Sequence, residues 1–388
     1  MRRVRAHGLF SLQEDVRVRT VWVLGAGASK AAYCGMPLVK DFMEEAFHRL
    51  RLSGNQGSRL LDFIRGAYGY EEPRDVNVEE LLTFAWCDVS RLDSQGDSVL
   101  RDPEKSGRLY HAQDARRTVE NVIVAVLFQA QRECMQIGDR VHKSLAEKVD
   151  KTQDTVISYN YDLLADEALW KAEKASSDDY GIAFAGAVDG IPGPSAREEY
   201  VREPEIHPGC QEASKGVPIL KLHGSLNWLG LEHCSLFKRE PEVFYLREAI
   251  NISVGPDFWW TGFGSLRAAN GSNDISQSGR LRPIIVPPTF AKDALRGSPM
   301  GKLWPKAKEA LEKCDRVAII GLSLREADYQ TRWLLRTALA AARPRDIEID
   351  VVNPSSEDRN RLSAFFLGLG RVVPYESIDR FLDGRPTA

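Results

Sequence analysis

The 388-residue chain holds 43% hydrophobic and 28% charged residues and carries a formal net charge of −3. That balance is ordinary for a soluble globular protein and offers no bulk attraction to nucleic acid. Because the length exceeds the usual single domain of about 150 residues, one enlarged α/β domain with insertions, or two domains, is expected.

The basic N-terminal stretch (Arg2, Arg3, Arg5, Arg17, Arg19) is interrupted by Glu14 and Asp15 and lacks an apolar segment behind it, so it does not read as a signal peptide. A first strand is expected at Val21 to Leu24, breaking into Gly25, Ala26, Gly27, Ala28 and Ser29 before a helical pattern. Val78 to Arg91 and Ala115 to Ile137 place apolar residues at three- and four-residue intervals, which predicts amphipathic helices within a helical insertion over 51–150. The longest apolar run, Val122 to Phe128, is far short of the roughly 18 residues that cross a bilayer, so no membrane span is expected.

Further strands are predicted at Thr155 to Ser158, Pro218 to Leu222, Pro283 to Val286, Arg316 to Ile320 and Ile347 to Val352, with a helix over Ser355 to Phe366. Their near-continuous hydrophobicity suits strands covered on both faces. The fold class expected is therefore α/β, a Rossmann-like, doubly wound, mostly parallel sheet with helical and loop-rich insertions, occupying 15–388. Residues 172–216 and 228–281 read as loop-rich excursions from that sheet. Six cysteines (Cys34, Cys87, Cys134, Cys210, Cys234, Cys314) stand singly without a C-x-x-C pair, which reads as reduced, mostly buried thiols. Neither His207 with Cys210 nor His233 beside Cys234 has the spacing of a standard zinc module.

In open α/β sheets ligands bind at the carboxyl ends of the strands. The residues just past the strand ends here are Gly25 to Ser29; Asn160, Tyr161 and Asp162; His223, Gly224 and Ser225; Pro287 and Pro288; Gly321, Leu322 and Ser323; and Asn353 with Pro354. Gly25 and Gly27 would let backbone N–H groups approach a phosphate, although tight strand-to-helix packing needs equally small residues. Lys30 stands where a G-x-G-x-x-G fingerprint needs its third glycine, and no Walker A pattern is present, so hydride transfer and P-loop chemistry both lose ground. Asn160 or Asp162 would also serve as a helix cap near Leu163, Ser323 with Glu326 as a capping box, and Asn353-Pro354 as a turn starter. His223, between an apolar strand and Gly-Ser, has no evident packing role.

In this order GAGAS and GMP (Gly35, Met36, Pro37), SYNYD (158–162), KLHGSLNW (221–228), IIGLSLREAD (319–328) and VVNP (351–354), with VEELLTF (78–84), resemble the sirtuin-like NAD-dependent family. The resemblance is to its branch in bacterial antiphage defence. It implies that Gly25, Ala26, Gly27 and Ser29 hold the NAD diphosphate, that Gly321, Ser323 and Asn353 hold the adenosine half, and that Pro37 also belongs to the cofactor-binding residues. It further implies that Asn160 and Asp162 contact the nicotinamide ribose or the attacking water, with His223 as base. The family's deacetylases carry a four-cysteine zinc ribbon and a Q-N-I-D motif; this chain has no such ribbon and reads Tyr159, Asn160, Tyr161, Asp162, so no zinc is expected and protein deacylation is placed in doubt.

Nicotinamide leaves NAD as a positively charged group made neutral, so cleavage needs a preorganised pocket and a placed nucleophile more than a strong acid. An imidazole suits proton acceptance near neutral pH. The expected activity is an NAD+ glycohydrolase, an NAD+ nucleosidase releasing nicotinamide and ADP-ribose, that depletes NAD in abortive antiphage defence in the cytoplasm. The alternatives are an NAD-dependent protein deacylase or ADP-ribosyltransferase, and a non-catalytic NAD or ADP-ribose binding module. Minimal relatives lack a sensor domain and work beside a HerA-type ATPase, which makes that partner and a homo-oligomer expectations here, with no direct nucleic-acid contact.

Overall fold

A computed structural model describes residues 18–50, 55–93, 102–184, 186–189, 216–231, 243–247, 249, 265–266, 279–286, 299–325, 328–342 and 346–387. Two sheets and two helical layers organise them. The first sheet contains β1 (Thr20–Leu24), β2 (Thr155–Ser158), β4 (Ile219–Lys221), β9 (Arg316–Ile320), β10 (Glu348–Val352) and β11 (Arg371–Tyr375). Every pairing in it is parallel, in the order β11-β10-β9-β1-β2-β4. The order reverses between β1 and β9, as in a doubly wound Rossmann-like sheet. Val23, Ile157, Ile319 and Val351 form one buried central row because helices cover both faces.

The helices α1 (Ala26–Ala32), α6 (Arg140–Lys148), α7 (Leu164–Lys171), α8 (Leu303–Lys313), α9 (Tyr329–Ala342), α10 (Ser356–Phe366) and α11 (Ile378–Leu382) belong to this unit. Four others fall within 42–137: α2 (Phe42–Arg49), α3 (Asn55–Tyr68), α4 (Val78–Asp93) and α5 (Pro103–Ile137). The periodic segment from Ala115 is thus the second part of a 35-residue helix that starts earlier, at a Pro in the first position, with the Asp102 carboxylate accepting from the Glu104 and Lys105 amides. Val122 to Phe128 are all buried in a second core against Met43, Leu81 and Leu246, which explains why that run is apolar all round.

The second sheet runs β3-β6-β5-β8-β7, from β3 (Gly186–Asp189), β5 (Gly224–Leu231), β6 (Val243–Arg247), β7 (Ser265–Leu266) and β8 (Gly279–Ile285). It corrects one reading. The run from Pro283 to Ile285 belongs to β8, antiparallel to β5, and not to the parallel sheet. Within 228–281, the described residues fall in or beside parts of four strands. A short apolar run states that a strand is buried and says nothing about which sheet buries it.

Among the described residues no helix is long and apolar enough to cross a membrane. Cys134 and Cys314 are buried, whereas Cys34 and Cys87 are exposed, so the described thiols are only half as buried as expected. Cys210, Cys234, His207, His233, Pro287 and Pro288 lie outside the described residues.

Candidate functional site

At its carboxyl edge the parallel sheet brings the expected residues into one row. Along the strand order, His223 comes after β4, Asn160 and Asp162 after β2, Gly25 to Ser29 after β1, Gly321 to Ser323 after β9, and Asn353 after β10. Neighbouring strands lie about 4.8 Å apart, which puts the His223 turn about 10 Å from the glycine turn. Ser29, Asn160, Asp162, His223 and Asn353 are all buried, none more than 7% exposed.

The glycine turn sits at the point where the strand order reverses. The Gly25 amide donates to the Ile320 carbonyl and the Gly27 amide to the Gly321 carbonyl, both at 2.9 Å. These two N–H groups are therefore engaged within the protein, which corrects the expectation that they face a phosphate. Smallness serves packing instead: a Cβ on Gly27 would lie 2.7 Å from the Gly321 Cα. Gly321 is itself left-handed, at φ +64. Ala26, at the first helical position and exposed, is the residue this turn presents outward.

Around the turn the side chains form a closed set of hydrogen bonds. Asn160 Nδ2 donates to the Gly25 carbonyl and to Ser29 Oγ, each at 3.0 Å, and Ser29 Oγ donates to Asp162 Oδ2 at 2.8 Å. The other oxygen of Asp162 accepts from the Leu164 amide at 3.2 Å, at the start of α7, although Leu163 and not Asp162 occupies the cap position. On the far side of the reversal, Asn353 Oδ1 accepts from the Ser355 amide and its Nδ2 donates to the Leu322 carbonyl, as a turn starter that also clasps the loop after β9. Asp328 caps α9, accepting from the Thr331 amide, and the expected Ser323–Glu326 capping box lies in part outside the described residues, at Glu326. The Ser323 carbonyl accepts from Arg361 Nη2 at 2.8 Å. Pro37 is buried in the segment after α1, where Arg49 Nη2 donates to the Gly35 carbonyl at 2.6 Å.

His223 sits where the two sheets meet. Its carbonyl accepts from the Val286 amide at 2.8 Å, and the Val286 carbonyl accepts from the Tyr161 hydroxyl at 2.8 Å. Gly224 is left-handed at φ +90, and a side chain there would collide with the Ile284 carbonyl, so only glycine lets β8 approach this closely. The imidazole packs edge-on to Tyr159, 5.0 Å between ring centroids, with Tyr161 on another side at 6.3 Å. Burial first, and then the charges of Glu79, Glu120 and Asp328, push the Tyr161 phenol well above its ordinary range. Burial does the same to Tyr159. Both are thus neutral hydroxyls at any physiological pH, and neither is a base.

Solved structures of Sir2 homologues are similar to this chain. A triple mutant of such a homologue, in complex with 2'-O-acetyl ADP-ribose, is 13% identical and aligns over 95% of this chain and 91% of its own, with a TM-score of 0.43. A Sir2 homologue in complex with NAD is 12% identical over 95% and 86%, with a TM-score of 0.38. Sir2Tm bound to a propionylated peptide is 14% identical over 94% and 91%, with a TM-score of 0.34. No protein-family description and no curated protein matches the sequence. The Rossmann-like assignment rests on the strand order itself.

Four supporting residues escaped the sequence reading. Lys221, fully buried, donates to the Asp162 carbonyl at 2.5 Å and to Asp166 Oδ2 at 3.0 Å. Asp166 Oδ1 accepts from the Tyr180 hydroxyl at 2.6 Å. Gln131, on α5, accepts from the Leu163 amide and donates to the Ala249 carbonyl, joining the helical layer to both sheets. A lysine inside the apolar run VPILKL was the one visible signal. Among the described residues no group of three or more His, Cys, Asp or Glu is placed to hold a metal ion.

Proposed function

We propose that this chain is an NAD+ glycohydrolase that cleaves NAD to nicotinamide and ADP-ribose. The observation that carries the reading is the row of His223, Asn160, the glycine turn, Gly321 and Asn353 at five successive strand ends of one parallel sheet. Four inter-strand spacings make about 19 Å, the reach of an extended dinucleotide lying across the reversal point. The sequence resemblance to sirtuin-like NAD-dependent proteins supports the choice of dinucleotide.

In this reading the diphosphate lies at Ala26, and the adenosine half lies over Gly321, Ser323 and Asn353. Both hydrogens of the Asn160 amide are engaged, so the group it turns to substrate is its Oδ1 acceptor, suited to orient a water or a ribose hydroxyl. The bond between nicotinamide and the ribose C1' breaks with its electron pair leaving on nicotinamide. Water forms the new C1'–O bond and gives its proton to His223. Tyr159, buried, and Tyr161, half-buried, form the wall against which the imidazole is held. Asp162 holds Ser29 and the start of α7 and acts through them.

Loss of cellular NAD through this activity is the proposed route of antiphage defence. A HerA-type ATPase partner and a homo-oligomer belong to the same proposal and are supported by the sequence resemblance alone. The deciding experiment is a time course of NAD loss and nicotinamide release by wild type, His223→Ala and Asn160→Ala, alone, with a HerA-type ATPase, and with an acylated peptide. The expected result is peptide-independent nicotinamide release that falls by about 10²-fold or more in His223→Ala. Strict dependence on the peptide identifies a deacylase or transferase instead. Undiminished release by His223→Ala removes the catalytic assignment.

A further inference from the structure

The side chain of Lys221 is an amine with no exposed surface, placed at the end of β4, two residues before His223, and paired with a carboxylate. Burying such a group is costly unless its donors are met, and here two of the three are met by groups that matter to the site. One is the backbone carbonyl of Asp162, the residue whose carboxylate holds Ser29 Oγ, which in turn accepts from Asn160. The other is the Asp166 carboxylate, itself steadied by the Tyr180 hydroxyl. Tyr180 also accepts from Asn227 Nδ2 at 2.8 Å. Asn227 lies on β5, which leaves directly from the His223–Gly224 turn, while Lys221 ends the strand that enters it.

We propose that Lys221 is a positioning residue that sets the register between His223 and Asn160. Through Asp162 it fixes the loop after β2. Through Asp166, Tyr180 and Asn227 it fixes both chain segments that flank the histidine. This rests on the reading of His223 and Asn160 as the groups that meet NAD.

The test separates positioning from folding. Lys221→Met alone leaves Asp166 buried without its cation and destabilises the chain, which says nothing of catalysis. The double variant Lys221→Met with Asp166→Asn removes both charges and keeps an acceptor for Tyr180. Its melting temperature is expected near that of wild type, with KM for NAD little changed and kcat reduced by about tenfold to a hundredfold, measured well below melting. Tyr180→Phe, which removes one hydroxyl remote from substrate, is expected to lower kcat several-fold at unchanged KM. A stable double variant with wild-type kcat overturns the proposal; should that variant not fold, wild-type kcat in Tyr180→Phe overturns it. Wild type that releases no nicotinamide, with or without the ATPase, overturns the glycohydrolase reading and this role together, whereas an active wild type with unaffected variants overturns this role alone.

Discussion

Gly27 and Gly224 illustrate how one missing carbon sets the geometry of the site. A methyl group on Gly27 would stand 2.7 Å from the Gly321 Cα and 2.8 Å from its carbonyl, so the β1 turn and the loop after β9 would have to separate. Overpacking of this kind costs about 1–3 kcal/mol, and at Gly27 the neighbour is backbone that cannot rotate aside. Gly27→Ala is therefore expected to lower stability in urea titration by about that amount and to weaken ADP-ribose binding. Gly224→Ala is expected to be worse, because left-handed strain adds to the collision with Ile284. Gly66 provides the control. It lies within α3 with nothing within 4 Å of an added Cβ, so Gly66→Ala should stabilise by about 0.5–1 kcal/mol. Equal losses at all three positions would show that the two turns are not under steric constraint.

Between elements, the segment after α1 is held by a clasp of three side chains. Glu133 on α5 accepts from Arg49 on α2 and from the Tyr33 hydroxyl, and Arg49 in turn holds the Gly35 carbonyl. Burial works against ionisation of Glu133, yet the hydrogen bonds from Arg49 and Tyr33 hold its carboxyl below the ordinary value of 4.5. A depressed folded-state value means stability that is complete above the unfolded value and is lost as pH falls through the folded one. Urea titrations at a series of pH values below about 5 should therefore show wild type losing an increment of stability that Glu133→Gln lacks, the variant being less stable at neutral pH and flatter in acid. Parallel acid limbs for the two proteins would mean that the clasp contributes nothing. The same helix carries Gln131, so just past its apolar run it also brings a polar side chain to the cap of α7.

For the molecule as a whole, thiol chemistry reports whether the two cores close as described. Burial, followed by the charges of Asp139 and Asp162, pushes the Cys134 thiol up to about 12, and Cys314 is buried under the parallel sheet. Cys34 and Cys87 are exposed. Alkylation of the native protein at mildly alkaline pH, read by peptide mapping, should label Cys34 and Cys87 rapidly and leave Cys134 and Cys314 unmodified until denaturant is added. Rapid labelling of Cys134 in the native state would mean that the helical layer opens far more readily than its buried core implies.

Five of the six strands of the parallel sheet were legible in the sequence because each is a short apolar run whose burial leaves a local signature, and the residues after them were legible because turns need particular side chains. The edge strand β11, mostly half-exposed and carrying Pro374, left no such signature and was missed. The row that those residues form was inferred from a general property of such sheets. The second sheet was not legible: the same kind of run at Pro283 to Val286 pairs with β5, and composition carries no record of a partner strand. Nor was the true use of the glycine turn, whose amides are taken by carbonyls almost three hundred positions away, or of Lys221, whose partners lie on other elements. Hydrogen bonds and steric limits between residues so distant in the chain exist only once the backbone has closed. The sequence alone therefore determined which chemical groups stand at the sheet edge, and the tertiary structure decided which of their atoms are taken up by other parts of the chain.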